Sequence, residues 1–221
     1  MAAAAYVFDA YGTLFDVHAA MARHRAACGP DADRFSDLWR IKQLEYTWTL
    51  TLAGKYLDFF TLTERALDFS LSRFPSVPKS LRADLLDAYM TLDAYADARA
   101  TLQALKAHGD KTAILSNGSP RMLKAAVDAA QIGPLLDDVF SVDSVKMYKP
   151  RREVYELVTR GFSVEPADIV FVSSNRWDVM GATAFGFRCA WINRAGNPDE
   201  YPDHPPVAVL KSLSDLPALA I

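Results

Sequence analysis

Two rhythms of apolar and polar positions divide this chain. After position 90, four short apolar runs stand out: Lys111 to Ser116, Val139 to Val142, Asp168 to Ser173 and Cys189 to Ile192. Unbroken apolar runs of this length read as parallel strands covered on both faces. The stretches between them repeat apolar residues every three or four positions, as helices do. One runs from an Asp97 cap to Gly109, with Leu102 and Leu105 inward. A second follows Ser119-Pro120, an N-cap with proline at the first helical position, and carries Met122, Leu123, Ala126, Val127 and Ala130. Glu153 to Phe162 and Asp178 to Phe185, the latter stopped by Gly186, complete the set. Residues 15–93 offer no strand. Arg34 to Leu52 reads as one long aromatic-rich helix closed by Gly54, and Thr61-Leu62-Thr63-Glu64 as a capping box opening a helix through about Arg73. Pro75 and Pro78 precede a third helix near Leu81 to Met90.

With one further strand at Val7-Phe8, the alternation predicts an α/β fold: a Rossmann-like parallel sheet core (residues 1–14 and 94–221) with an inserted all-helical cap subdomain (15–93). In open parallel sheets, ligands bind beyond the carboxyl ends of the strands. Asp9, Ser116, Lys149 and Asn175 all fall at or just past such ends, so four polar residues from distant parts of the chain are expected to converge.

Composition narrows the partners. A net charge of −3 gives no basic footprint for nucleic acid or anionic lipid. Cys28 and Cys189 have no metal or redox spacing and read as ordinary thiols in a reducing compartment. His18, His24, His108 and His204 share no ligand spacing, which argues against zinc. No apolar stretch approaches the roughly 18 residues that span a bilayer. The N-terminal alanines lack a basic leader and are interrupted by Asp9, so a cytoplasmic location is expected. Pro198 to Pro206 reads as a proline-rich surface loop.

Five segments carry the chemistry: Asp9-Ala10-Tyr11-Gly12-Thr13-Leu14; Trp39-Arg40 with Lys42-Gln43-Leu44-Glu45-Tyr46-Thr47-Trp48; Leu115-Ser116-Asn117-Gly118; Tyr148-Lys149-Pro150 with Val154-Tyr155; and Ser173-Ser174-Asn175-Arg176-Trp177-Asp178. In this order they resemble the haloacid dehalogenase superfamily, and within it the L-2-haloacid dehalogenases, from end to end of the chain. The resemblance implies hydrolysis of short L-2-haloalkanoic acids to D-2-hydroxy acids. Asp9 would be the nucleophile that forms an ester at C2 with inversion. An aspartate carboxyl, with a reference pKa of about 3.9, needs no base to activate it. Thr13 would orient Asp9, Lys149 would pair with it or with the substrate carboxylate, and Ser116 would bind that carboxylate. Asp178 would serve as base or water orienter, with Ser173, Asn175 and Tyr155 completing the catalytic set. Arg40 and Asn117 are the candidates for the departing halide; an arginine keeps its charge at any working pH. Ala10, Tyr11, Leu44, Phe59 and Trp177 would line the substrate site.

Tyr11 separates this reading from a phosphatase of the same superfamily. Phosphatases place an aspartate there to protonate a leaving alkoxide, whereas halide needs no proton. Ser173, Ser174 and Asn175 are neutral where a magnesium-dependent relative would carry acidic ligands, so no metal or other cofactor is expected. The alternatives are a phosphatase, or a non-catalytic binding protein on the same fold. Judged alone, Lys149 reads as a solvated loop charge and Arg40 as a surface arginine. Arg176 stands where a small residue is expected, which leaves the pocket rim open. The aromatic helix from Phe35 to Trp48 carries more apolar surface than a thin cap can bury, so a homodimer is expected, as in similar dehalogenases.

Overall fold

A computed structural model describes residues 3–219; Met1, Ala2, Ala220 and Ile221, at the ends of the expected core segments, lie outside the described residues. Six parallel strands form one sheet: β1 (Ala5–Phe8), β2 (Thr112–Ser116), β3 (Asp138–Ser141), β4 (Ile169–Ser173), β5 (Arg188–Ile192) and β6 (Ala208–Leu210), in the order β3-β2-β1-β4-β5-β6. The central strands β1, β2 and β4 are buried along their whole length, which explains their unbroken apolar runs. β6 departs from the sequence expectation. It is a three-residue edge strand directly after the proline-rich loop, too short and too exposed to show a run. The order reverses at β1, because the chain fills one side with β2 and β3 before returning to β4 on the other. The crevice between β1 and β4 is therefore the switch point at which such sheets bind ligands.

Between β1 and β2 the chain makes α1 (Ala19–Arg23), α2 (Arg25–Cys28), α3 (Ala32–Leu52), α4 (Phe59–Arg73) and α5 (Arg82–Met90). It leaves and returns through paired linkers: the Asp16 N–H donates to the Asp93 carbonyl, and the Tyr95 N–H donates to the Leu14 carbonyl. The long α3 packs along α4, and its aromatics find partners within the chain. Phe35 meets Phe74, Trp39 meets Tyr89, and the Trp39 indole N–H donates to the Thr63 carbonyl at 2.9 Å. The expected surplus of aromatic surface on α3 is therefore largely absorbed; Ile41 (57% exposed) and Leu52 (87%) remain outside. α6 (Ala98–Ala107) leads into β2, and α7 (Pro120–Ala129), α8 (Arg152–Phe162) and α9 (Arg176–Phe185) follow it, covering the sheet with it.

One helix starts earlier than expected, and two expected caps stand at their helix starts without a side-chain cap bond. α4 begins at Phe59, because Asp58 accepts from the Phe60 and Thr61 N–H groups; Thr61 lies inside the helix and donates its hydroxyl to Asp58. Asp97 precedes α6 without capping it. Its carboxylate accepts instead from Arg194, the Ser212 hydroxyl and the Leu213 N–H. Ser119 has extended N-cap backbone but makes no side-chain cap bond; proline sets the start. Among the described residues no helix is long and apolar enough to cross a membrane.

Candidate active site

Asp9 is the first residue past β1, and its N–H still donates to the Val172 carbonyl of β4, so its backbone is fixed by the sheet. Its side chain is 8% exposed. Oδ2 accepts from Thr13 Oγ1 (3.0 Å), Asn175 Nδ2 (2.8 Å) and Ser173 Oγ (3.4 Å); Oδ1 accepts from Lys149 Nζ (3.0 Å). The hydroxyls are oriented by backbone. Thr13 Oγ1 accepts the Ser174 N–H (2.9 Å) and Ser173 Oγ accepts the Asn175 N–H (3.1 Å), which turns each proton toward Asp9. Ser116 Oγ likewise accepts the Gly118 N–H (3.0 Å), leaving its own proton to donate elsewhere.

Lys149 is not a solvated charge. It is buried, with Nζ between Asp9 and Asp178 Oδ2 (2.8 Å) and 5.0 Å from the centre of the Phe171 ring. Burial alone would lower its pKa; Asp178 and Asp9 outweigh burial and hold it above the ordinary lysine value. Burial pushes the Asp178 carboxyl up to about 6, with Lys149 pulling it down and Asp9 adding to the rise. The other oxygen of Asp178, Oδ1, accepts from the Tyr155 hydroxyl (2.8 Å), and burial followed by Asp178 keeps that phenol well above its usual range. Gly181 permits this contact, since a Cβ there would collide with Pro150 and come within 2.6 Å of the Tyr155 oxygen. Among the described residues no three His, Cys, Asp or Glu side chains are grouped to hold a metal ion.

A closed space of about 10 Å³, the room of a single water, is walled by Asp9, Tyr11, Arg40, Leu44, Phe59, Ser116, Asn117, Asn175 and Trp177. The helical segment thus supplies Arg40, Leu44 and Phe59, the first turn of α9 supplies Trp177, and the segments at the strand ends supply the rest. Arg40 Nη2 donates to the Tyr11 carbonyl (3.2 Å), while buried Nη1 has no hydrogen-bond partner among the described residues. Asn117 Oδ1 accepts the Lys149 N–H (3.1 Å), which leaves its amide N–H₂ available. Tyr11 is buried and stacks on Tyr89 (centroids 5.9 Å apart, planes 11° apart). Gly118 makes room for it, because a Cβ there would lie 2.7 Å from the Tyr11 ring. Burial holds the Tyr11 phenol well above its ordinary value, so it is no substitute for a phosphatase acid.

Thr13, Lys149, Tyr155, Ser173 and Asp178 stand behind Asp9 rather than on the wall. Ala10, expected to line the substrate site, is not among the residues walling this small space; its carbonyl closes the turn by accepting the Leu14 and Phe15 N–H groups. Arg176, whose effect on the rim the sequence left undecided, is not among the residues walling this space. It is buried against the loop that follows β5, donating from Nε to Asp199 (2.6 Å) and from Nη2 to the Tyr201 and His204 carbonyls. Sequence reasoning assigned no role to Gln43 and Tyr89, which underlie the arginine. Tyr89 donates to Gln43 Oε1 (3.2 Å), and Gln43 Nε2 donates to Thr63 (2.9 Å). For Gln43 the signal was the i, i+4 stripe Trp39, Gln43, Thr47, the buried face of α3.

Residues 3–186 match the sequence profile of the haloacid dehalogenase-like hydrolases. Over 218 residues the chain is 50% identical to (S)-2-haloacid dehalogenase 1 of Pseudomonas sp. (strain CBS-3), covering 98% of this chain and 96% of that protein. It is 47% identical to (S)-2-haloacid dehalogenase 4A of Burkholderia cepacia, covering 98% and 94%. The structure of L-2-haloacid dehalogenase from Xanthobacter autotrophicus with chloropropionic acid covalently bound matches with a TM-score of 0.90 at 38% identity, over 99% of this chain and 98% of that one.

Proposed function

Because this chain belongs to the haloacid dehalogenase-like hydrolases, and its relatives include named (S)-2-haloacid dehalogenases, we infer that it hydrolyses short L-2-haloalkanoic acids to D-2-hydroxy acids through an ester on Asp9. The observation that carries the reading is the asymmetry of the Asp9 carboxylate. Oδ2 is saturated by three donors, whereas among the described residues Oδ1 accepts from Lys149 alone and keeps a lone pair free. Oδ1 attacks C2 of the substrate from the side opposite the halogen. The C–O bond forms as the carbon–halogen bond breaks with its electron pair, and C2 inverts. Ser116 and neighbouring N–H groups hold the substrate carboxylate. The unpaired Nη1 of Arg40 and the free amide of Asn117 receive the halide. Leu44, Phe59 and Trp177 enclose the alkyl group.

The same donors serve the second step. Water adds to Cγ of the ester, giving a proton to Asp178, and negative charge builds on Oδ2 against Thr13, Ser173 and Asn175, which are already in place. Collapse breaks the Cγ–Oδ1 bond, so the product leaves with the enzyme's oxygen and Asp9 keeps the water's. The departing alkoxide takes up one proton, and one proton per turnover reaches solvent. Lys149 lies where a cation would neutralise the two carboxylates, and the reaction as written needs no metal.

We further propose that α1–α5 act as a cap over the core at the boundary expected from the sequence, that the protein is cytoplasmic, and that it pairs as a homodimer across α3, where Ile41 and Leu52 are exposed. Sedimentation at micromolar concentration reads the dimer; a monomer there contradicts it. The function is tested by halide release from the two enantiomers of 2-chloropropionate. The L form should release chloride and yield D-lactate, while an enzyme that releases inorganic phosphate from p-nitrophenyl phosphate and no chloride is a phosphatase.

A further inference from the structure

Behind Trp177 lies a second, larger space of about 350 Å³, in the range of small-molecule sites, with almost wholly apolar walls. Trp48, Thr51 and Leu52 at the end of α3 form one side, and Trp177, Met180 and Tyr201 the other. Trp177 is common to this cavity and to the closed space above Asp9. Its indole meets Trp48 edge to face, with centroids 5.4 Å apart at 81°. The Trp48 indole N–H has no hydrogen-bond partner among the described residues, so packing alone holds this partition. The space above Asp9 is narrow, and edge-to-face packing holds the wall it shares with the larger one.

The far wall, by contrast, is anchored. Arg176 is 4% exposed; it grips the Tyr201 carbonyl (2.5 Å) and Asp199 (2.6 Å), and its guanidinium carbon lies 5.4 Å from the Tyr201 ring centre. A buried charge carries a desolvation cost, and this one is offset by contacts that fix a loop as the cavity's side.

We propose that this cavity is the subsite for the alkyl tail of longer 2-haloalkanoic acids, reached past Trp177 while the carboxylate and C2 sit at Ser116 and Asp9. The inference rests on the hydrolytic reading above. An apolar tail fits the walls, and the chain from C3 outward already runs toward Trp177 if Leu44, Phe59 and Trp177 enclose the alkyl group. Each methylene buried strengthens binding roughly fourfold.

The test uses unhalogenated propionate and octanoate, titrated against the tryptophan fluorescence of the whole enzyme, beside kcat/KM for L-2-bromopropionate and L-2-bromooctanoate. Octanoate should bind at least roughly tenfold tighter than propionate. Thr51→Phe, which fills the cavity, should erase that gain and lower the long-to-short ratio of kcat/KM by a similar factor. Tyr201→Ala, on an exposed loop, removes a wall without touching the sheet and should reduce the gain several-fold. Equal affinity for the two carboxylates, or a gain that survives both substitutions, overturns the subsite. Bromide release from L-2-bromopropionate reports on the hydrolytic reading separately: release with no octanoate gain overturns the subsite alone.

Discussion

On the strand side of the closed space, a single oxygen of Asp9 accepts three hydrogen bonds, and two of the three donors are themselves aimed by backbone N–H groups. On the helical side, Arg40 donates to the Tyr11 carbonyl and its buried Nη1 has no hydrogen-bond partner among the described residues, amid Leu44, Phe59 and the stacked Tyr11 and Tyr89 rings. The strand side is complete before any substrate arrives. Such preorganisation lowers barriers because no dipole has to turn during the reaction. The helical side is incomplete, and its unmet donor gives an anion a place to go. On the proposed reading, bond making belongs to the strand ends, and the helices share leaving-group recognition with Asn117 and add Arg40, Leu44 and Phe59. Substitutions on the two sides should therefore fail differently.

The largest effect is expected at Asp9. Asp9→Asn keeps the shape and loses the nucleophile, and halide release should fall by roughly 10⁴-fold or more; a variant retaining a tenth of the activity would dissolve the division of labour. Asp178→Asn comes next and separates the two steps. Ester formation should persist while hydrolysis slows by roughly 10²–10⁴-fold, so rapid mixing should show one halide per enzyme followed by stalling. The same carboxyl sets a pH dependence. A base whose pKa is raised to about 6 is protonated below that value, so kcat should decline as pH drops through this region. The decline should vanish from the burst, which does not use Asp178. A burst with the same acid limb would place the titration elsewhere.

Arg40→Lys probes the helical side. Lysine keeps a charge but not the planar fork, and kcat should drop roughly 10²-fold for chloride, in keeping with the loss of one well-placed donor. The loss should be smaller for bromide and iodide, which leave more easily. An equal loss for all halogens would shift Arg40 from leaving group to substrate carboxylate. The smallest catalytic effect is expected from Tyr89→Phe, which strips the hydroxyl from buried Gln43 (3.2 Å). It should cost about 1–3 kcal/mol of stability in urea unfolding, with little change in kcat.

The same contrast explains what could be read from residues alone. Asp9, Ser116 and Asn175 were legible because an apolar strand ends visibly and the next polar residues must sit at its tip. The resemblance of five ordered segments then supplied roles that spacing could not. Partners distant in sequence were not legible. Asp97 looked like a helix cap, yet its carboxylate serves Ser212, 115 residues away. Arg176 looked like a misfit at the rim, and it holds Asp199 and Tyr201 in a loop whose composition announced only exposure. Asp58 displaced the Thr61 capping box because two cap signals lay three residues apart and the earlier one met the first free N–H groups.

A covalent bond between Asp9 and substrate carbon leaves an isotopic trace. In a single turnover in H₂¹⁸O, followed by digestion and mass spectrometry of the peptide containing Asp9, the label should appear on Asp9 and the hydroxy acid should carry unlabelled oxygen. Labelled product from that first turnover with an unlabelled Asp9 would mean that water attacks carbon directly, and the ester mechanism would be wrong.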